Sequence, residues 1–377
     1  MHRPLMKGAR PFARVFLLSF LLHLASASQA RAQPPTQTPA PLSAEKIKEI
    51  EAAITSEMSK QGIPGLSVAV SAGGRLNWSN GYGMADVENS VPARAGTVYR
   101  LGSISKTITA VAVMQLAEGG RLDLDAPVQK YCPAFPQKQW PVTARQILGH
   151  LSGIRHYKSE EEFNSTRRYE SIVEGLSMFK DDPLLHEPGT KYTYTTFGYT
   201  VLGCAVEGAV GEKFADYVRA HVLKPAGMER MRVDSIAEII PHRAQGYRRD
   251  PKTNELRNSP LADNSYKIPG GGFVSTVEDL AKFAAAFSAN TLVKAETAEQ
   301  MFMRQKTRDG KETNYGLGFG VGTWKGQRMV GHSGAQQRVS TFLHMLPERG
   351  VAVVLMVNLE DAELGDLAIR IADIVLK

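Results

Sequence analysis

Cysteine is scarce. The 377-residue chain has two, Cys132 and Cys204. Two cysteines are not the disulfide framework that holds small secreted folds together, so a hydrophobic core must do so here. They read as two buried thiols, although an exported chain could bridge them. Metal-binding patterns are missing as well. The nine histidines are scattered, with no His-Glu-x-x-His and no Cys-x-x-Cys, and this leaves no basis for a metal or another cofactor. No basic stripe with interleaved aromatics follows residue 32, which removes nucleic acid as a partner. The apolar run Val15 to Leu24 is broken by Ser19 and His23. It falls short of the roughly 20 residues a stable membrane span needs.

That run belongs instead to an export signal. Arg3, Lys7, Arg10 and Arg14 precede it, and the small-residue sites Ala25-Ser26-Ala27 and Ala30-Arg31-Ala32 follow. This is the order of a cleavable secretory leader. Cleavage is expected after Ala32, with Ala27 as the alternative, giving a periplasmic or secreted product. Residues 1–32 hold five basic and no acidic side chains, so removing them lowers the formal charge from +7 to +2. The high isoelectric point is then mostly the leader's and says little about partners. Residues 33–42, rich in Pro, Thr and Gln, read as a flexible leader to the folded part, which spans 43–377.

Within 43–377 the apolar spacing changes along the chain. Ser43 caps a helix with a stripe at Ile47, Ile50, Ile54 and Met58. Leu66–Val70 and Leu76–Tyr82 read as a hairpin around Gly73-Gly74. Ser103 to Glu118 is apolar on nearly every side, the mark of a buried helix. Helical stretches and loops fill the middle. Strand patterns return at Gln327–Gly331, Val339–Leu346 and Val351–Val357, and Asp366–Leu376 closes as an amphipathic helix. Strands at both ends and helices between them predict an α/β chain of the α+β type. One antiparallel sheet would come from 43–105 and 255–377, flanked by helices, with a mainly helical region from 106–254 beside it.

A serine becomes a nucleophile when a base takes its proton, and a lysine serves if burial lowers its pKa. Ser-x-x-Lys places the pair on one helical face. The spacing occurs three times: Ser43/Lys46, Ser103/Lys106 and Ser177/Lys180. Ser43 opens an ordinary amphipathic helix, and Lys180 stands beside Asp181 and Asp182 in a solvated stretch. Only Ser103 opens the most apolar helix, where a lysine would be dry. On local sequence the alternative, that Ser103 merely caps this helix, remains open.

Ser103-Ile104-Ser105-Lys106 resembles the first motif of the serine β-lactamases and penicillin-binding proteins, of the class C type. Tyr194-Thr195-Thr196, after Pro188-Gly189, resembles the second. His332-Ser333-Gly334 resembles the third. His150 to Tyr157 and Asp263 to Phe273 also fit, nearest to the mitochondrial serine β-lactamase-like branch and its bacterial relatives. The resemblance implies a β-lactamase/transpeptidase-like fold and a serine hydrolase without a cofactor. Ser103 would attack, Lys106 would accept its proton, Tyr194 would relay a proton to the leaving group, and the backbone N–H groups of Ser103 and Ala335 would hold the oxyanion. Thr196 stands where the family has Asn, and His332 where it has Lys, so recognition of a penicillin carboxylate is weakened. A peptidase acting on peptide-like amides is the expectation. An esterase or weak β-lactamase is the alternative within the same chemistry. A non-catalytic, self-assembling scaffold is the alternative outside it. Tyr194 retains a reading as a core aromatic, and His332 one as a strand residue without chemical work.

Overall fold

The computed structural model describes residues 41–377. The export signal and most of the leader lie outside the described residues. Ser43 caps α1 (Ala44–Gln61), its hydroxyl accepting from the Lys46 N–H. The expected hairpin forms as β1 (Gly65–Ala72) and β2 (Arg75–Asp86), with a two-residue edge strand, β3 (Val91–Pro92). The late strands are β4 (Gly320–Trp324), β5 (Gln327–Gln336), β6 (Val339–Leu346) and β7 (Val351–Val357). Together they make one seven-stranded sheet in the order β3-β2-β1-β7-β6-β5-β4, with antiparallel pairing throughout.

Both faces of this sheet are covered, which is why β1 and β7 are buried along their whole length. Successive side chains on a strand point to opposite faces. Leu66, Val68, Val70, Val353, Leu355 and Val357 face one layer. There they pack with Ile50 and Ile54 of α1 and with Leu367, Ile371 and Ile374 of the last helix, α5 (Gly365–Leu376). Ala69, Val354 and Met356 face the other core, shared with α2 (Ser105–Glu118), α3 (Phe197–Val210) and α4 (Val277–Ser288). The first and last helices thus cover one face, as the sequence pattern predicts.

Three details differ from the sequence reading. Strand β4 was not anticipated, because Gly320-Val321-Gly322 hides its alternation. It pairs with β5 across Lys325-Gly326, both at positive φ (46° and 77°), a hairpin geometry that glycine eases. β5 runs five residues beyond Gly331, so His332 to Gln336 lie on a strand. Cys132 and Cys204 are not free thiols. They form a disulfide with Cα atoms 5.3 Å apart, tying α3 to the loop after a short 3-10 turn. Their separation of 72 residues held no information about that proximity, which only the packing of the helical region creates. No helix among the described residues is long and apolar enough to cross a membrane.

Candidate active site

The chain reaches the site through Leu101. Gly102–Ile104 is one 3-10 turn at φ +53° for Gly102, and α2 begins at Ser105. Gly102 is obligatory: a Cβ there would lie 2.9 Å from the Ala335 nitrogen. Gly334 is held as tightly, since a Cβ would meet the Leu101 carbonyl at 2.1 Å. These two glycines let β5 press against the turn that carries Ser103 and bring Ala335 beside it.

The capping alternative for Ser103 fails. Neither the 3-10 turn nor α2 has a side-chain cap. The Ser103 Oγ lies 2.9 Å from Lys106 Nζ. Lys106 is fully buried and also donates to Thr196 Oγ1 at 3.1 Å and to the Gly270 carbonyl at 2.8 Å. Burial, with the charge of Lys267 second, holds its amine well below the ordinary lysine value. A neutral amine in this position is chemically able to accept a proton from a serine hydroxyl. The other two pairs are built differently. Lys46 Nζ reaches the Val375 carbonyl, and Ser177 is exposed.

Tyr194 is half-buried, with Lys106 Nζ 4.8 Å from its ring centre. Desolvation pushes its phenol above the ordinary tyrosine value, against a hydrogen bond with Ser103 that pulls it down. It therefore stays protonated at neutral pH, a state able to donate a proton and not one that acts as a standing base. Two histidines that sequence reasoning passed over set its position. His150 Nδ1 accepts from the Thr195 N–H at 3.2 Å, and its ring packs against that of Tyr194, centres 4.3 Å apart and planes tilted by 40°. His156 Nδ1 accepts from the Thr196 N–H at 3.1 Å. The one local signal was that both lie in the same short stretch, His150 to Tyr157.

His332 is buried between two partners. Its Nδ1 lies 2.6 Å from the Ser333 carbonyl, which can only accept, so Nδ1 carries the proton. Nε2 then accepts from the Tyr315 hydroxyl at 2.7 Å. Burial and the charge of Lys106 lower its pKa to about 3. His332 is therefore neutral at neutral pH, with both ring nitrogens engaged. Ser333 and Ala335 are exposed, alternating with buried His332, Gly334 and Gln336 along β5.

Ser103, Tyr194, Thr196, His332, Ser333 and Ala335 line one cleft of about 740 Å³. Lys267, Gln336, His156 and Tyr157 line it too. Of the other two expected residues, Lys106 lies buried behind Ser103 and Gly334 lies buried on β5. No group of three or more His, Cys, Asp or Glu placed to hold a metal occurs among the described residues.

Comparison with known proteins gives a consistent result. Residues 50–376 match the family described as "Beta-lactamase". The mitochondrial serine β-lactamase-like protein LACTB of Homo sapiens is 33% identical, over 82% of this chain and 76% of its own. The octameric penicillin-binding protein homologue of Pyrococcus abyssi superposes with a TM-score of 0.76 at 26% identity, covering 88% of this chain and 77% of its own. The D-amino acid amidase of Ochrobactrum anthropi superposes with a TM-score of 0.75 at 22% identity, covering 88% and 99%.

Proposed function

The chain belongs to the β-lactamase family, and from that premise we propose that it is a serine hydrolase forming an acyl-enzyme on Ser103, with peptide-like amides as its substrates. One observation carries this reading: a fully buried lysine amine 2.9 Å from a serine oxygen that caps nothing. Neutral Lys106 takes the Ser103 proton as the oxygen attacks the carbonyl carbon. The negative charge that develops on the carbonyl oxygen is met by the N–H groups of Ser103 and Ala335. As the C–N bond breaks, Tyr194 gives its proton to the leaving nitrogen and recovers one from the Lys106 ammonium. Water then attacks the acyl carbon as neutral Lys106 takes its proton; the bond to Ser103 Oγ breaks, the Lys106 ammonium returns a proton to that oxygen, and the acyl group leaves as an acid. The preference for amides leans on the amidase neighbour; esters would pass through the same steps.

The test is labelling with a fluorophosphonate. The wild-type chain should label at one site, and Ser103→Ala should abolish labelling. Labelling that survives would place the nucleophile elsewhere. The octameric homologue favours one further reading, that this chain self-assembles, and size-exclusion chromatography with light scattering decides it. Export, with a periplasmic or secreted product, rests on the first 32 residues alone.

A further inference from the structure

Lys267 is 1% exposed, and among the described residues its amine neither donates a hydrogen bond nor joins an ion pair, although its Nζ is not among the fully enclosed atoms without a partner. Its Nζ instead lies 5.2, 5.0 and 5.2 Å from the ring centres of Tyr157, Phe163 and Tyr266. The carboxylate that lines the same cleft, Glu160, bonds Asn164 Nδ2 and makes no ion pair with Lys267. Gln336 is 5% exposed, and its Nε2 is buried without a partner. Both residues line the cleft that holds Ser103. They share one spot in it, because a Cβ on Gly271 would meet Gln336 Oε1 at 3.5 Å and Lys267 Cδ at 3.7 Å. Gly271 follows Gly270, whose carbonyl holds Lys106.

A buried amide donor without an acceptor, as at Gln336 Nε2, is costly and rare, and an ammonium sunk among aromatic rings, as at Lys267, is poorly solvated. A cation and an amide donor left open at one wall of a cleft match a group that brings acceptors and negative charge. His332, neutral and committed to Tyr315, does not serve that need. The position also sets a direction. Tyr194, the donor to the leaving group, sits at the His332 end of β5, with ring centres 6.2 Å apart. Gln336 lies four residues further along, about 13 Å at the usual strand rise, with Ala335 and the oxyanion between them. The open donors therefore face the acyl portion of a substrate.

We propose that Lys267 and Gln336 form a carboxylate-recognising subsite that selects acyl donors bearing a free carboxylate on the acyl side of the scissile bond. This rests on the acyl-transfer reading above and names the substrate class of that same site. It is tested with N-acetyl aspartyl and glutamyl p-nitroanilides against their asparaginyl and glutaminyl counterparts, in both stereochemical series, with fluorophosphonate labelling of Ser103 followed in parallel. Wild-type kcat/KM should favour the carboxylate member of a pair by about 30-fold or more, the size expected for a desolvated charge pair. The ratio should fall towards 1 in Lys267→Met and by several-fold in Gln336→Leu. Taking the ratio within each protein removes any general effect on Lys106. If Lys267→Met fails to fold, Gln336→Leu decides alone. A wild-type ratio near 1, no turnover of any pair by a protein whose Ser103 still labels, or an unchanged ratio in the folded variants overturns the subsite and leaves acyl transfer standing. Absence of both labelling and turnover in the wild type removes the acyl-transfer reading and the subsite with it.

Discussion

Replacing Lys267 with methionine should make the protein more stable, by an amount that depends on pH. Desolvation first, and the charge of Arg100 second, lower the Lys267 amine from 10.5 to about 7, against the opposing pull of Asp234. A lysine in the unfolded chain keeps its ordinary value. Below pH 7 both states carry the proton, and the native state holds the charge in a poor site at full penalty. The shift corresponds to roughly 5 kcal/mol, at about 1.4 kcal/mol per unit. Between pH 7 and 10.5 the native amine is neutral while the unfolded one is charged, so the penalty shrinks as pH rises. Above 10.5 it is gone. Methionine removes the penalty but gives up the three ring contacts, each about 0.5–1 kcal/mol. The net gain expected is about 2–3 kcal/mol at pH 6, fading to under about 1 kcal/mol at pH 10. Urea unfolding of both proteins across this range measures it, and comparing them cancels the titration of groups they share. A variant no more stable than wild type at pH 6, or a gain that does not change with pH, would refute the reasoning. A residue that lowers stability this way, in a cleft, is one whose retention needs a ligand to explain it.

Lys106→Arg should leave Ser103 unlabelled, with acylation slower by at least about 10³-fold, because a guanidinium stays protonated and cannot accept the serine proton; stopped-flow acylation measures this, and near-normal rates would remove Lys106 as the base. The ratio of carboxylate to neutral turnover should rise as pH falls through about 7, since protonated Lys267 is the form that holds an anion; the rise should survive in His332→Gln, whose native ring titrates only near 3, and vanish in Lys267→Met. Replacing Cys132 and Cys204 together with serine should lower stability by about 2–4 kcal/mol, read as a lower Tm that wild type reproduces under reductant; an unchanged Tm would mean the bond does not constrain the unfolded chain.

Much of this protein was legible in its residues. Helix α1, the β1–β2 hairpin, strands β6 and β7, α5 and the burial of α2 follow from apolar spacing, because a strand or helix with one wet face repeats with a fixed period and a buried one is apolar throughout. The candidate pair Ser103 and Lys106 could be chosen over two rivals on the same ground: only one of the three segments was apolar enough to strip water from an amine. The glycine-rich β4 left no such period, and the extension of β5 through His332 to Gln336 was masked by its polar residues.

What the residues in order could not express was distance. The disulfide between Cys132 and Cys204, the acceptance of the Thr195 and Thr196 N–H groups by His150 and His156, and the neutral state of His332 all arise where segments far apart in the chain meet. The same holds for Lys267 and Gln336. Nothing in their local sequence marks either as lacking an acceptor, because that depends on which walls close around them. Local pattern determined which segments are dry. Tertiary packing decided which charged and polar groups were left there without partners, because desolvation and hydrogen bonding depend on neighbours in space.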